Sequence, residues 1–398
     1  MRFKYLAIFL ILFFSTQLSE AQTTGELLNL LTQKGTITQK EADSIRLEYS
    51  KKQQAIESKS DSFPLSIGRL LRLSGYTQVG YQNFQEPTNT NGFAIRRARL
   101  DFQGDFSTKW GYRVLIDFVG ASGTKGSAQT GGTLLSPTLL DAYISFKAFD
   151  FLKITAGQFL VSFSQESLTP DRGLETIDRS QVVSALVARK GDISNGLIDS
   201  IGNQTGRDIG IMVNGSLIKI QNHYLMDYYL ALLNGAGINT LDNNQYKDID
   251  ARLVFHPLPI FDFGFSYYNG FDVFISSPNI NQERVRLGTE FALNYNLLSV
   301  KGEWIEGKEG NSNPIVHHGW YLQGSYFLWP KHFQGVFRYD TYDPNVAKSK
   351  DLETSTYYVF GLNYFFNVWT KIQMEYSLRT EDPSKKNNAY SIQLQLGF

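Results

Sequence analysis

The sequence lacks several features that define common classes of protein. It contains no cysteine among its 398 residues, which excludes disulfides, thiolate catalysis and cysteine-based metal sites. It has no excess of charge, because 38 lysine and arginine residues balance 38 aspartate and glutamate residues. Nucleic-acid binding draws on a surplus of basic residues, so no nucleic-acid partner is expected. After residue 21 there is no run of about 20 apolar residues for a membrane helix, so membrane insertion would need a barrel of strands.

The first 21 residues have the pattern of a secretory signal peptide. Arg2 and Lys4 precede an apolar run over residues 5–14, and residues 19–21 (Ser-Glu-Ala) form a small-x-small cleavage site. A membrane anchor helix is the alternative, but the apolar run is too short to span about 30 Å of hydrocarbon. We therefore predict export with cleavage near Ala21.

The pattern over residues 22–62 predicts a short periplasmic helical segment that ends in a linker. A stripe of leucines precedes Gly35, and Thr38 with Glu41 is a capping-box signature that opens a second helix. The apolar residues of this second helix approach heptad spacing over little more than two heptads. Two interpretations stay open, namely a helical hairpin and a coiled coil that joins copies of the protein in the periplasm.

Residues 93–106 (FAIRRARLDFQGDF) show the alternation of a β-strand most clearly. From position 97 onward the apolar and the polar side chains fall on opposite faces, because successive side chains of a strand point in opposite directions. Such a strand fits an antiparallel sheet that separates a protein core from water. It fits an outer-membrane barrel equally well, with lipid outside and a water-filled lumen inside.

The same alternation recurs in about sixteen runs between residue 69 and the C-terminus. Short turns alternate with long polar loops, and aromatic residues gather beside the short turns, as in bacterial outer-membrane barrels. The last run alternates apolar and polar residues and ends at Phe398, which resembles the signal that barrels present to their insertion machinery. We therefore predict an all-β fold: an antiparallel transmembrane β-barrel of about 16 strands over residues 67–398, after the short N-terminal helical segment.

The charged face of the predicted strands would line the lumen of the barrel. Rings of arginine or lysine favour anions, and our candidates for pore lining and anion selectivity are Arg97, Arg99, Arg113, Lys147, Arg284, Arg286, Arg338 and Arg379. Acidic residues are nearly as numerous on this face, so ion pairing within the wall is the alternative for most positions. We expect the neighbouring pairs Arg97/Arg99 and Arg284/Arg286 to escape it, because two adjacent inward guanidiniums are difficult to neutralise together.

The longest loop, residues 162–206, follows the fifth predicted strand. A barrel of this size needs a segment that narrows it, and long structured loops are usually functional. We predict that this third external loop folds inward, contains a helical turn around residues 175–186 and forms the constriction. Its charged candidates are Glu166, Arg172, Arg179 and Arg189.

Five segments carry a resemblance to a known family: FAIRRARLDFQGDF (93–106), DAYISF (141–146), ITAGQFLVSFSQESLT (154–169), TIDRS (176–180) and GRDIGI (206–211). In this order they resemble blocks of the phosphate-selective porin O and P family, and the first is similar to its signature strand. The resemblance implies a trimeric outer-membrane porin of sixteen strands, with an inward third loop, in a Gram-negative bacterium. The chain departs from the family at Ser162, where proline is common, and in lacking a clear surplus of basic lumen residues. The phosphate specificity of the family depends on a ladder of arginines.

Together, the residues and the resemblance predict a porin for the passive diffusion of small hydrophilic solutes, with a preference for anions that extends to phosphate. The expected partners are further copies in a homotrimer, outer-membrane lipids, the barrel-insertion machinery and small anionic or neutral solutes. One alternative is a carbohydrate channel in which Tyr76, Tyr143 and Tyr321 supply stacking faces. Another is a surface adhesin or structural anchor that works through its helical segment. Neither an enzyme nor a cofactor is predicted, because the five histidines are scattered and no catalytic pair is recognisable.

Overall fold

The computed structural model describes residues 65–85, 91–119, 137–188, 206–274, 280–347, 354–381 and 384–398, together with Thr32, Lys34, Thr38 and Glu41. The chain divides into two units, residues 1–63 and 64–398. The predicted signal peptide, the extents of the two predicted helices and Arg189 lie outside the described residues. Among the residues that are described, no helix is both long enough and apolar enough to cross a membrane.

In the first unit, Thr38 and Glu41 make the contacts of a capping box. The backbone N–H and the hydroxyl of Thr38 each donate to Glu41 Oε2 at 2.8 Å, and the Glu41 N–H lies 3.3 Å from Thr38 Oγ1. The two donors lower the pKa of Glu41 below its ordinary value, the backbone N–H having the larger effect. Reciprocal contacts of this kind form the capping box that is typical of the start of a helix.

The second unit is built from strands. Its described residues form β1 (Leu65–Ile67), β2 (Leu71–Phe84), β3 (Gly92–Asp105), β4 (Trp110–Asp117), β5 (Thr138–Phe149), β6 (Leu152–Leu160), β7 (Arg207–Ile220), β8 (His223–Leu233), β9 (Asp248–Leu258), β10 (Phe261–Phe274), β11 (Ile280–Tyr295), β12 (Leu298–Glu309), β13 (Ile315–Trp329), β14 (Phe333–Asp343), β15 (Ser355–Phe365), β16 (Lys371–Glu381) and β17 (Ala389–Gly397).

Sixteen of these strands, β2–β17, close into one antiparallel barrel. Each strand pairs with its neighbours in sequence, and β17 pairs with β2 to complete the ring, with Leu394 opposite Val79. The short β1 pairs with the first three residues of β2, with Leu65 opposite Leu73. Because every strand has a partner on both sides, the barrel leaves no open sheet edge. The predicted number of strands is confirmed.

The connections differ in length at the two ends of the barrel. At one end are turns of two to five residues, at 106–109, 150–151, 221–222, 259–260, 296–297, 330–332 and 366–370. Segments of five or more residues join the strands at the other end, and the longest covers residues 161–206. In outer-membrane barrels the short turns lie on the periplasmic side.

The outer face of the barrel is apolar and its interior is polar, the reverse of a soluble domain. On β17, Leu394 is 47 % exposed, whereas the neighbouring Gln393 and Gln395 are buried. The period of two places one kind of side chain outside and the other inside. The charged faces of the predicted strands therefore line the lumen.

A β-bulge in β3 turns an additional side chain inward. Gln78 of β2 pairs with Arg97, but the next residue of β2 pairs with Ile95, so that Arg96 has no partner across the strands. An extra residue of this kind bends the strand and redirects its side chain. Arg96 forms an ion pair with Asp178 of the segment that joins β6 and β7.

Candidate functional site in the barrel lumen

The segment that joins β6 and β7, which we call the lumen loop (residues 161–206), lies inside the barrel over its described part, residues 161–188. Its Asp171 contacts Arg97 of β3, and its Gln165 contacts Glu290 of β11. Because β3 and β11 stand on opposite sides of the closed wall, the loop crosses the lumen.

Short helical turns shape the lumen loop. They are α1 (Gln165–Leu168), a 3₁₀ turn (Asp171–Gly173), α2 (Gln181–Val183) and a π turn (Ser184–Ala188). The helical turn predicted around residues 175–186 begins only at residue 181. The cause is a cap at Ser180, whose hydroxyl accepts a hydrogen bond from the N–H of Val183.

Apolar side chains of the lumen loop form a small core within the lumen. Phe163 and Val182 are fully buried and belong to one cluster with wall residues that include Tyr268 and Ile305. A wall glycine makes room for this packing, because a Cβ at Gly288 would lie only 3.0 Å from the ring of Phe163. A larger residue at position 288 would therefore push the loop away from the wall.

Five wall carboxylates bind the backbone of the lumen loop, and we call them the anchoring carboxylates. Each accepts a hydrogen bond from a loop N–H at 2.5–3.2 Å: Asp250 from Ser162, Glu290 from Gln165, Glu303 from Glu166, Asp340 from Gln181 and Glu375 from Ile177. A buried backbone without regular structure has no ladder partners for its N–H groups, so side chains must supply the acceptors. Acidic residues on β9, β11, β12, β14 and β16 therefore hold the loop.

Glu175 anchors the loop in the opposite sense, as a loop carboxylate bound by the wall. It lies 3.0 Å from Lys301 Nζ and accepts hydrogen bonds of 2.6–2.8 Å from Gln323, Ser325 and Gln334. Lys301 and Gln334 stand close to the short turns that open β12 and β14. The lumen loop thus reaches deep into the half of the barrel nearer the short turns.

The expectation that Arg97 and Arg99 escape pairing is wrong. Arg97 Nε lies 3.1 Å from Asp171 Oδ2. Arg99 contacts the same carboxylate and lies 2.7 Å from Asp117, and Arg179 of the loop also pairs with Asp171. The lumen loop brings Asp171 to the wall, which no pattern in the strands themselves could indicate.

The same expectation is wrong for Arg284 and Arg286. Arg284 lies 3.3 Å from Asp272 of β10, and Arg286 forms a buried ion pair with Glu309 of β12. The partners stand on the two neighbouring strands. The sequence alternation shows that a side chain points inward, but it does not give the register that sets which charge stands beside it.

Arg338 and Glu166 meet where α1 approaches the wall. Arg338 Nη1 lies 3.4 Å from Glu166 Oε1 and donates to the hydroxyl of Thr176 at 2.8 Å. Glu166 also accepts hydrogen bonds from the N–H and the hydroxyl of Ser180, at 2.9 and 2.7 Å. Because both charged groups are buried, they fix the loop and do not face open space.

Lys147 and Arg379 stand near opposite ends of the barrel. Lys147 lies beside a short turn, 2.9 Å from Asp150, and its ammonium lowers the pKa of that carboxyl. Arg379 lies near the other end of the barrel. Its guanidinium is 5.5 Å from the ring of Phe84 and 4.7 Å from the ring of Tyr357, in cation–π contact with both.

A cavity of about 90 Å³ separates the lumen loop from the wall of β2–β6. Its charged lining consists of five arginines and two aspartates: Arg99, Arg113, Arg172, Arg179, Arg207, Asp101 and Asp171. Two further aspartates, Asp117 and Asp141, pair with these arginines but are buried and do not line the cavity. The surface of the cavity is therefore mainly cationic.

Arg172 differs from the other arginines of this lining. Its guanidinium stacks over the ring of Trp369 at 4.1 Å. Within the part of the chain that the structure describes, no carboxylate stands within ion-pair distance of it. Arg113, in contrast, lies 2.9 Å from Asp101 and 3.0 Å from Asp141. Arg172 thus adds positive charge to the cavity without a compensating partner.

Two inward arginines are missing from the predicted set. Arg96 turns inward at the bulge, and the sequence signal for it is the change of apolar phase between Ile95 and Ala98. Arg207 opens β7, lines the cavity and lies 2.6 Å from Asp141. It stands at the end of a strand, where too few alternating positions remain to show on which face it lies.

The three tyrosines of the carbohydrate alternative do not share one open surface. Tyr76 lines the cavity and accepts a hydrogen bond from Arg99 at 2.9 Å. Tyr321 is 1 % exposed and donates to Glu303, while Tyr143 packs against the apolar core. Only Tyr76 therefore presents its side chain to the cavity.

A closed barrel of sixteen strands, with a loop across a charged lumen, defines a porin-type channel and points away from an enzyme. The sequence model of the family "Phosphate-selective porin O and P" matches residues 72–261 and 272–398. The chain belongs to this family and is an outer-membrane porin, as the resemblance implied.

Solved porin structures share the fold. The anion-selective porin from Comamonas acidovorans is 13 % identical with a TM-score of 0.58, and the match covers 82 % of this chain and 99 % of that one. The outer membrane channel DcaP of Acinetobacter baumannii is 13 % identical with a TM-score of 0.55, covering 84 % and 99 %. The trimer form of OmpT from Vibrio cholerae is 9 % identical with a TM-score of 0.53, covering 82 % and 99 %. No curated protein matches the sequence.

Proposed function

We propose that this porin prefers anions, and that the cavity between the lumen loop and β2–β6 is the region that selects them. The observation that carries the proposal is the lining of five arginines against two aspartates. The family name suggests phosphate among the solutes, and the porin from Comamonas acidovorans with the same fold is described as anion-selective. Solutes cross by passive diffusion, since a charged lining changes which ions enter without supplying energy.

The candidate residues divide into two roles in this proposal. Arg99, Arg113, Arg172 and Arg179 face the diffusing ion, because they line the cavity. The constriction itself is the lumen loop, and the remaining basic candidates of the wall stabilise it or stand at the two entrances. The buried contacts support the stabilising role for Arg97, Arg338 and Glu166.

We also propose that Phe398 is the assembly signal of the barrel and that three copies associate. Phe398 lies at the seam where the barrel closes, and its backbone exchanges hydrogen bonds of 3.0 and 2.9 Å with Gly75 of β2. A Cβ at Gly75 would lie 2.8 Å from the ring of Phe398, so the ring packs in space that a side chain at position 75 would fill. Export with cleavage near Ala21 precedes this step.

The reversal potential of the purified porin in a planar bilayer under a KCl gradient tests the anion preference. We expect a potential of the sign for chloride, and Arg172→Gln should lower the permeability ratio of chloride to potassium. A unit charge about 6 Å from a diffusing ion contributes roughly 0.7 kcal/mol in water, favourable for chloride and unfavourable for potassium, so the ratio should fall by about tenfold at most. The effect should shrink at high salt.

Lys308→Gln is the matched control, because it removes the same charge from the outer face of β12, beside Glu306. It should leave the reversal potential of the wild type unchanged. A cation-selective wild type, or equal shifts in the two variants, would contradict the proposal.

A further inference from the structure

Two glycines open a depression in the outer face of the barrel on β13 and β14. A Cβ at Gly324 would meet no atom within 4 Å, and a Cβ at Gly335 would meet only the side chain of Leu328, at 3.8 Å. Both glycines face outward, because their neighbours Ser325 and Gln334 are buried in the lumen and successive side chains alternate. Glycine weakens the interior of a strand and often marks a position that another molecule approaches closely.

Large apolar side chains border this depression, which we call the outer groove. Tyr326 and Leu362 stand opposite Gly335 on the two neighbouring strands, and Phe337 stands opposite Gly324. The outer groove has a volume of about 800 Å³. Pockets for small molecules commonly enclose about 300–1,000 Å³, so the groove is large enough for part of a lipid.

The outer groove lies on the half of the wall nearer the short turns. Gly335 is the third residue of β14, and Gly324 precedes the last residue of β13 by five positions. At about 3.3 Å per residue, both glycines stand within about 17 Å of the strand ends beside the turn at 330–332. One leaflet contributes about 15 Å of hydrocarbon, and the short turns of outer-membrane barrels are periplasmic. The groove therefore faces the acyl chains of the periplasmic leaflet.

An exposed lysine stands at the periplasmic end of the outer groove. Lys331 lies in the turn at 330–332, three residues after Leu328, which lines the groove. Neither this turn nor the adjacent turns at 296–297 and 366–370 contain an aspartate or a glutamate. The ammonium of Lys331 therefore has no acidic partner in its own turn or in the two beside it.

A bulge at the end of β13 places a tryptophan near this lysine. The register with β14 shifts between Phe327 and Trp329, and Trp329 is 57 % exposed. Tryptophan concentrates at the boundary between lipid and water, so the end of β13 lies at the level of the lipid headgroups. Lys331, two residues further along the chain, then stands where the phosphate groups are.

Shape and charge make different contributions to lipid binding at this place. A lipid chain is in hydrocarbon everywhere along the wall, so burial from water gives it no preference for the groove. Closer packing does, because an unfilled depression loses the dispersion contacts of its lining. A lysine at the membrane surface attracts an anionic headgroup and strengthens binding by about fivefold. The groove thus favours a lipid over bulk lipid, and the lysine favours an anionic one.

We propose that the outer groove binds an anionic phospholipid of the periplasmic leaflet, with one acyl chain over Gly335 and Gly324 and its phosphate beside Lys331. The site lies outside the barrel and is separate from the cavity that faces the solutes. It adds a lipid ligand to the channel and does not depend on which ions the channel prefers.

Native mass spectrometry of the purified porin tests the headgroup position, because one spectrum counts both bound lipids and subunits. The protein in detergent is titrated with phosphatidylglycerol or with phosphatidylcholine, which differ in headgroup charge. We expect tighter binding of phosphatidylglycerol, and Lys331→Gln should weaken it about fivefold without changing the binding of phosphatidylcholine. Lys109→Gln is the matched control, because it removes the same charge from the exposed lysine of another short turn.

Gly335→Leu tests the outer groove itself. It should weaken the binding of both phospholipids several-fold, because the new side chain fills the space of the acyl chain. Gly324→Leu fills the same groove from β13 and provides a second, independent variant. Ala251→Leu is the control, because it adds the same bulk to the outer face of β9, between the inward and buried Asp250 and Arg252. Single-channel conductance of each variant shows that the barrel is folded.

Three results would overturn the proposal. Equal loss of phosphatidylglycerol in Lys331→Gln and Lys109→Gln would mean that Lys331 does not hold the headgroup. Wild-type lipid binding in conducting Gly335→Leu and Gly324→Leu variants would mean that the acyl chain lies elsewhere. A change in the number of subunits in these two variants, but not in Ala251→Leu, would show that a second copy of the chain occupies the groove and not a lipid.

Discussion

The two sides of the lumen use the same kinds of charged residue differently. On the side of β11–β16, acidic residues of the wall bind N–H groups of the lumen loop, as Glu290, Glu303 and Glu375 do. On the side of β2–β6, arginines such as Arg99 and Arg113 line the cavity. A chain with no net charge can thus present a cationic surface to the solute on one side of the lumen, because acidic residues on the other side are bound to the loop.

Loss of a charged group should have different consequences on the two sides of the lumen. An anchoring carboxylate is buried, so removing it should change the position of the loop before it changes the field in the cavity. A residue of the cavity lining should change selectivity and leave the loop in place. The following changes test this division, beginning with the largest expected effect.

Replacing Glu303 with alanine should loosen the lumen loop most. The side chain accepts the N–H of Glu166 at 2.7 Å and the hydroxyl of Tyr321 at 2.8 Å, and a buried donor left without its acceptor costs about 1–3 kcal/mol. We expect a higher and more variable single-channel conductance. Glu306→Ala is the control, because Glu306 stands on the outer face of the same strand beside Lys308. Equal conductance of the two variants would show that Glu303 does not hold the loop.

Adding a methyl group at Gly288 should move the loop by a smaller amount. The new Cβ would lie 3.0 Å from the ring of Phe163, and overpacking of a filled core costs about 1–3 kcal/mol. We expect Gly288→Ala to change single-channel conductance while its reversal potential keeps the sign of the wild type. Gly324→Ala, whose Cβ would meet nothing within 4 Å, should conduct as the wild type does. If the two glycine variants behave alike, the packing of Phe163 does not position the loop.

Deleting residues 22–62 should have the smallest effect on the channel. These residues belong to the first of the two units and the barrel belongs to the second, so conductance and reversal potential should match those of the full chain. The adhesin or anchor alternative predicts loss of the protein's role with the channel preserved. A deletion variant that inserts normally but no longer conducts would mean that the helical segment takes part in the pore.

The period-two patterns were enough to predict the strands, their number and the side of the wall on which most charges lie. Each strand of a closed barrel separates an apolar surface from a polar one, so the alternation along β17 continues over its whole length. The family blocks pointed to the same fold. Once the apolar residues are assigned to the outer face, the alternation places the polar residues inside.

The contacts within the lumen could not be predicted in the same way. Five anchoring carboxylates bind main-chain N–H groups, which every residue other than proline carries and which no pattern marks. The partner shared by Arg97 and Arg99 is Asp171, a loop residue more than seventy positions away in the chain. Such contacts depend on how the loop crosses the lumen, which is a property of the closed barrel.

The most direct test of the division between the two sides is to neutralise one acidic residue from each and compare reversal potentials. Asp101 lines the cavity beside Arg113, whereas Glu375 accepts the N–H of Ile177, which a glutamine could still do. We predict that Asp101→Asn raises the preference for chloride over potassium by about tenfold at most, by the Coulomb argument used for Arg172, and that Glu375→Gln leaves it unchanged. Equal shifts, or a larger shift for Glu375→Gln, would contradict the account.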